Sequence, residues 1–117
     1  MELGFEQLDG GVMLATLSGR LDAMGASAID LPLTARIVTQ GARVIVDLSG
    51  VSFLASLGIR SLVTPAKALR ARGGELVLLN PQPAVLEVLR VAGLTAILKV
   101  FSDRAEAEAA LAAQPAG

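Results

Sequence analysis

Histidine and cysteine are both absent from this chain of 117 residues. Their absence excludes Ser-His-Asp and Cys-His catalysis, thiol redox chemistry and nearly all zinc sites. It also excludes disulfide bonds, and a chain without cysteine suits a reducing compartment. An enzyme built from the remaining residue types would depend on carboxylates such as Asp22 and Asp47 alone. We therefore expect a protein that is not an enzyme and that holds neither a cofactor nor a metal ion.

Aromatic residues and net charge are both scarce. The chain has three phenylalanines, no tryptophan and no tyrosine, and its formal net charge is −1. Proteins that bind single-stranded nucleic acid stack bases on aromatic side chains, and nucleic-acid-binding domains in general present a basic surface. Because the sequence offers neither feature, we expect no direct binding of nucleic acid.

Long apolar runs are missing as well. A membrane-spanning helix needs about 20 consecutive apolar residues. The longest charge-free stretches, 48–59 and 76–86, are shorter than that and contain polar residues or proline. The amino-terminal segment carries the acidic residues Glu2 and Glu6, where a signal peptide would carry basic ones. These patterns predict a cytoplasmic protein without membrane insertion.

The residues that are present are typical of one globular domain. Hydrophobic residues make up 53% of the chain and charged residues 18%, a composition that excludes a disordered chain. A length of 117 residues is enough to bury a single core. We expect one domain over residues 1–112, followed by a flexible tail over residues 113–117.

Short apolar runs alternate with longer segments of helical periodicity. Asp9-Gly10-Gly11 separates the first two runs and is a strong hairpin signal. Val44-Ile45-Val46 is a continuous β-branched run, which indicates a strand covered on both faces. Ser27 with Asp30 three residues later resembles a capping box and predicts the start of the first helix. The predicted strands are 5–8, 12–17, 44–46, 76–79 and 97–101, and the predicted helices are 27–41, 56–73, 85–91 and 104–112.

The predicted order of elements is β-β-α-β-α-β-α-β-α. Strands that alternate with helices form a mostly parallel sheet joined by right-handed crossovers. Asp47 to Gly50 is predicted to close the third strand. The sequence therefore predicts an α/β fold of one domain, with a mixed, mostly parallel sheet of about five strands, about four helices and an amino-terminal hairpin at one edge.

In an open α/β sheet, function gathers in the loops beyond the carboxyl ends of the strands. Two such loops stand out, residues 19–22 after the second strand and residues 53–60 after the third. Ser56 comes directly before an apolar helix, so its side-chain oxygen is placed to cap that helix by accepting from the N–H of Gly58 or Ile59. The same position favours a phosphate on Ser56, because free N–H groups and the helix dipole attract anions.

Residues around Ser56 also have two interpretations each. Gly58 lacks a Cβ and would let the backbone close around a phosphate. Arg60 would add a cationic contact, or it would be an ordinary solvated arginine. Asp22, in the first loop, would cap a helix or turn, or it would contact a partner. The residue types alone leave these alternatives open.

Three stretches together resemble a STAS domain of the anti-sigma factor antagonist type, and the likeness extends over nearly the whole chain. The first is Leu17–Ala23, and the second is Val46–Leu54, which leads to Ser56 and Gly58. The third is Gly74–Pro81, followed by Val85–Leu89 and Gly93-Leu94.

The resemblance implies a switch between two binding states in a bacterial regulator of transcription. An unphosphorylated antagonist binds an anti-sigma factor that is also a serine kinase, and so frees a sigma factor. Phosphorylation of the serine at the helix start, here Ser56, breaks the complex, and a serine phosphatase reverses the modification. The expected partner-binding residues are the neighbours of that serine, namely Asp22, Ala55, Leu57, Gly58 and Arg60.

The chain departs from the pattern of the phosphorylated relatives at two positions. Those relatives usually have aspartate directly before the serine and serine or threonine directly after it, whereas this chain has Ala55 and Leu57. A second hypothesis is therefore a STAS subunit of a lipid-transport ABC complex, or a scaffold of stress-signalling assemblies, that binds without phosphorylation. The sequence leaves open whether the domain forms a dimer.

Overall fold

A computed structural model describes residues 1–40 and 42–112. The tail from residue 113 onward, for which the sequence predicts flexibility, lies outside the described residues, as does Gly41 at the predicted end of the first helix. No helix in the described ranges combines the length and the apolar character needed to cross a membrane.

The described residues form five strands and four helices in the predicted order. The strands are β1 (Glu2–Gln7), β2 (Val12–Leu21), β3 (Arg43–Leu54), β4 (Glu75–Leu79) and β5 (Val100–Phe101). The helices are α1 (Ala23–Gln40), α2 (Ser56–Ala71), α3 (Pro83–Val91) and α4 (Arg104–Ala112). All five strands form one sheet in the order β1-β2-β3-β4-β5, in which only the pairing of β1 with β2 is antiparallel. The predicted mixed sheet with an amino-terminal edge hairpin is confirmed.

The core lies on both faces of the sheet. Val44 and Val46 of β3 point to one face, where they pack with buried side chains of α1, α2 and α3. Ile45 points to the opposite face and packs with Ala107 and Leu111 of α4. The prediction that residues 44–46 form a strand covered on both faces is therefore confirmed.

Two strands are longer than the sequence predicts. β2 runs to Leu21 and β3 runs to Leu54, although the sequence predicts a loop after the first and a turn at Asp47 to Gly50 in the second. The parallel pairing of the two strands continues, with irregularities, as far as Leu21 opposite Leu54. Because this pairing satisfies the backbone, the polar and glycine residues in both strands do not end them.

Two further boundaries are also wrong. α1 begins at Ala23, so the predicted capping box at Ser27 lies inside the helix. β5 contains only Val100 and Phe101, because the preceding residues form a tight turn in which the amides of Ile97 and Leu98 both donate to the carbonyl of Leu94. Amides used in that turn are not available to the sheet.

Candidate functional site

Ser56 lies at the carboxyl edge of the sheet, where β3 passes directly into α2. The amide of Ala55 donates to the carbonyl oxygen of Leu21 at 3.0 Å, which ties the end of β3 to the end of β2. Ser56 follows as the first residue of α2, and its side chain is exposed. The structure thus presents the serine to solvent at the place in the sheet where the sequence predicts it.

The prediction that Ser56 caps α2 is wrong. The N-cap residue is Ala55, whose carbonyl oxygen accepts from the amide of Ile59 at 3.0 Å, and no side chain among the described residues caps this end of the helix. The first-turn amides of an α-helix have no acceptor within the helix. No acidic residue occurs in the first turn of α2. The Ser56 hydroxyl therefore lies at a helix start whose own first turn carries no carboxylate.

Gly58 allows a close approach between α2 and β2. A Cβ at this position would lie 2.4 Å from the Leu21 carbonyl oxygen and 2.6 Å from the Leu21 Cγ, so the glycine allows α2 to pack against the end of β2. Gly25 does the same for α1, since a Cβ there would overlap the carbonyl of Arg20. The close approach of the backbone thus serves helix–strand packing, and it brings the first turns of α1 and α2 to consecutive residues of β2.

Asp22 caps α1, which confirms one of the two interpretations of this residue. Its Oδ1 accepts from the amide of Gly25 at 2.9 Å, and its Oδ2 lies 3.5 Å from the Nε of Arg20. The hydrogen bond from the Gly25 amide, assisted by the Arg20 guanidinium, lowers the pKa of Asp22 below its usual value of 3.8. Asp22 is consequently a carboxylate at neutral pH.

Arg20 contacts both Asp22 and β3, the strand that leads to Ser56. Its guanidinium carbon lies 4.2 Å from the ring centre of Phe53, which pairs with Arg20 across β2 and β3. Such cation–π contacts hold an exposed arginine in one orientation at a gain of about 0.5–1 kcal/mol. Arg60, by contrast, makes no hydrogen bond or ion pair with the described residues, and its side chain is exposed.

Exposed apolar side chains occupy the same edge of the sheet. Met24 on α1 is 83% exposed, Leu57 on α2 is 45% exposed and Phe53 is 40% exposed. Met24 precedes Gly25 and Leu57 precedes Gly58, so the two glycine contacts with β2 place both apolar residues at this edge. The sequence singled out Leu57 but neither Met24 nor Phe53, and a signal was available for Met24, because it lies two residues after the cap Asp22.

An open groove of about 410 Å³ lies beside these residues. It is lined by Met1, Arg20, Asp22, Met24, Gly25 and Ala28. The lining of the groove therefore combines the Arg20–Asp22 ion pair with the apolar start of α1. This composition suits a partner segment that has an apolar side chain next to a polar one.

A partly buried polar contact joins α1 and α2 behind the site. The hydroxyl of Ser61, which is 2% exposed, donates to Asp30 Oδ1 and lies 3.2 Å from the carbonyl oxygen of Leu57. Asp30 was predicted to take part in the start of α1, but its partner comes from the neighbouring helix. Within residues 1–40 and 42–112, no three acidic side chains gather as a metal site would require.

The chain is similar to STAS domains along most of its length. A family model described as STAS domain matches residues 7–107. The Bordetella bronchiseptica protein BtrV, named as an anti-sigma factor antagonist, is 34% identical over 110 residues, which are 94% of each chain. The anti-sigma-B factor antagonist of Listeria monocytogenes is 30% identical over 90 residues, or 77% of this chain and 79% of the relative.

The fold is also shared with solved structures. The unphosphorylated form of the anti-sigma factor antagonist SpoIIAA superposes with a TM-score of 0.77 at 24% identity, over 92% of this chain and 93% of that one. At this identity the likeness concerns the fold.

Proposed function

This chain belongs to the STAS domain family, and we propose that within the family it is an anti-sigma factor antagonist. In that function the chain binds an anti-sigma factor and so frees the sigma factor that the anti-sigma factor holds. It acts by binding and not by catalysis, and it does so in the bacterial cytoplasm. Two relatives at 34% and 30% identity carry the name of this function, which supports the proposal.

We propose further that phosphorylation of Ser56 switches this binding off. One structural observation carries the proposal: Ser56 is exposed at the first residue of α2, and Phe53 and Leu57, which flank it in the sequence, are exposed apolar residues. An apolar surface of this kind is favourable for a protein partner. A phosphate would add a charge close to −2 to that surface at neutral pH.

The free-energy cost of placing that charge in the interface is large enough to switch binding off. A desolvated or repelled anion in an interface costs several kcal/mol, and each ~1.4 kcal/mol lowers the affinity tenfold. The expected modifying enzymes are the anti-sigma factor itself, acting as a serine kinase, and a serine phosphatase. The residues proposed to contact the partner are Asp22, Ala55, Leu57 and Arg60, whereas Gly58 acts by letting α2 reach β2.

The modification is tested by incubating the chain with its cognate anti-sigma factor kinase and ATP. Intact-mass analysis should detect one added phosphate on the wild type and none on Ser56→Ala. Ser52→Ala is the matched control, because Ser52 is an exposed serine on β3, four residues before Ser56. Phosphate on Ser56→Ala, or none on the wild type, would contradict the assignment of the site.

The switch itself is tested by binding. Ser56→Ala should bind the anti-sigma factor like the wild type, whereas Ser56→Asp should lose at least about tenfold in affinity. If Ser56→Asp binds as tightly as the wild type, the chain binds without a phosphate switch, as expected for the STAS subunits of transport or scaffold assemblies.

A further inference from the structure

Helix α1 is apolar on two opposite sides. Its inner side contributes Ile29, Leu33 and Ile37, all buried in the core. Its outer side carries Met24 and Leu31, which are 83% and 79% exposed. Met24 and Leu31 are seven residues apart and therefore lie two turns apart on one face of the helix.

Small apolar residues continue that outer face. Ala28 lies between Met24 and Leu31 at spacings of four and three residues, and Ala35 follows Leu31 after four. Both alanines are exposed. We call Met24, Ala28, Leu31 and Ala35 the outer stripe of α1. The alternation of four and three residues is the spacing at which one helix packs against another.

The charges of α1 do not interrupt the outer stripe. The helix has only two charged residues, Asp30 and Arg36. Asp30 accepts from the Ser61 hydroxyl of α2, and the Arg36 guanidinium lies 4.7 Å from the ring centre of Phe5 on β1. Both charges are thus engaged by neighbouring elements of the domain. A surface helix normally turns its charged residues outward, and one that is apolar on both sides is covered on both sides.

The outer stripe is continuous with the surface around Ser56. Its first residue, Met24, lines the groove together with Arg20 and Asp22, and Ala28 lines the same groove one turn further along. The packing of Gly25 and Gly58 against β2 places Met24 and Leu57 at the same edge of the sheet. A partner that covers Ser56 and Leu57 therefore meets the beginning of the stripe.

We infer that the outer stripe of α1 binds an apolar helix face of the same anti-sigma factor that covers Ser56. This inference rests on the proposed function. Two large side chains offer well under the ~800 Å² per partner that a stable interface buries. The stripe is therefore too small to hold a second copy of the chain by itself, but it suffices to enlarge an interface that already exists beside it.

The outer stripe and the serine act separately on affinity. Leu31 lies about 10 Å beyond Met24 along the helix axis, away from Ser56. A charge at position 31 loses the burial of a leucine side chain and leaves an ion in the contact, which lowers affinity by about tenfold or more. Because Leu31 and Ser56 lie on different helices and at different parts of the proposed contact, we expect their effects on affinity to add. The loss at position 31 should then be the same in the wild-type and Ser56→Asp backgrounds.

The experiment compares Leu31→Glu and Leu31→Lys with Val91→Glu and Val91→Lys. Val91 is a matched control because it is 75% exposed and lies at the far end of α3. The dissociation constant is measured with the purified anti-sigma factor kinase in the absence of ATP, and thermal unfolding checks that each variant is folded. Both Leu31 variants should weaken binding about tenfold or more, whichever the sign of the charge, and both Val91 variants should bind like the wild type.

Three results would overturn the inference, and they separate it from the proposed function. If the wild type binds and the Leu31 variants bind equally well, the inference alone is wrong. If light scattering shows a wild-type dimer that the Leu31 variants convert to monomers with unchanged affinity for the anti-sigma factor, the stripe serves self-association instead. If the wild type does not bind the anti-sigma factor, the proposed function is overturned together with the inference.

Discussion

Gly58 packs against the carbonyl group of Leu21 so closely that no side chain fits between them. A Cβ at position 58 would lie 2.4 Å from the Leu21 oxygen, 2.6 Å from the Leu21 Cγ and 2.9 Å from the Leu54 Cδ1. Two of these three atoms belong to buried side chains and the third to the backbone, so none of them moves aside freely. The contact fixes the start of α2, and therefore Ser56, relative to the end of β2.

Gly58→Ala should lower the free energy of unfolding by about 2 kcal/mol or more, because the added methyl group overlaps a backbone carbonyl. Urea denaturation measures the change. Gly4→Ala is the matched control, since a Cβ at Gly4 on the edge strand would meet nothing within 4 Å. Equal stabilities of the two variants would contradict the described packing.

Asp22→Asn should reveal a contribution of the carboxylate to stability that depends on pH. The pKa of Asp22 is lowered in the folded state, so the ionised form stabilises the fold above the unfolded value of 3.8. That contribution is lost as the pH falls through the lowered pKa. The difference in unfolding midpoint between wild type and Asp22→Asn should therefore shrink between neutral pH and about pH 3. A difference that grows on acidification would contradict this sign.

Arg20→Gln should raise the pKa of Asp22 only part of the way to its usual value. The hydrogen bond from the Gly25 amide is the largest single cause of the lowering, and it remains when the hydrogen bond and the charge of Arg20 are removed. An NMR titration of the Asp22 carboxyl carbon measures the change. Lys67→Gln removes a distant exposed cation and should leave this pKa unchanged. Complete restoration of the usual pKa in Arg20→Gln would show that the amide contributes little.

Ser61→Ala should destabilise the fold by about 1 kcal/mol, because it removes the partly buried hydrogen bond between α1 and α2. The effect should be smaller in an Asp30→Ala background, where the acceptor is already missing. Thermal or urea unfolding of the four proteins in this cycle measures the coupling. Ser52→Ala, at an exposed serine, should change the stability by less than about 0.5 kcal/mol. Full additivity of the two substitutions would contradict a direct contact.

Phosphoserine at position 56 should titrate below the usual second phosphate pKa of about 6. The free amides of the first turn of α2 favour the dianion, and Arg60 lies one turn further on the same face. A phosphorus NMR titration of the phosphorylated chain measures this pKa, and Arg60→Gln should raise it. Lys67→Gln, two turns beyond Arg60, should not. If the second pKa of the phosphate has its usual value, the start of α2 does not stabilise the dianion.

Local patterns predicted the elements whose signals lie within a few residues. The Asp9-Gly10-Gly11 turn and the run at 44–46 both gave the correct element, because hairpin geometry and burial on both faces leave a direct trace in residue type. The order of strands and helices then followed from the rules of parallel sheets. The fold could therefore be predicted almost completely.

Boundaries set by distant residues could not be predicted. Asp47 to Gly50 has the composition of a turn, but Gly50 pairs with Ser18 and Leu48 is buried, so β3 continues. Asp30 fitted a capping pattern with Ser27, but its hydrogen bond comes from Ser61, 31 residues later. In the candidate site, too, features set by local sequence could be predicted and features set by distant contacts could not. The position of Ser56 followed from the local pattern, whereas the contact of Gly58 with Leu21 depends on tertiary packing.

β3 extends beyond the end of β4, its neighbour on one side. It has twelve residues, of which 43–47 pair with all five residues of β4, while Gly50, Val51, Phe53 and Leu54 pair with β2 alone in the described part of the chain. Amides in a strand that is paired on one side only exchange with solvent through local unfolding of lower free energy than amides in the middle of a sheet. We expect hydrogen exchange to be faster at residues 52–54 than at residues 44–46. Ser56 thus follows the end of β3 that is paired on one side only, and we expect this end to open at a lower free energy than the central strands do.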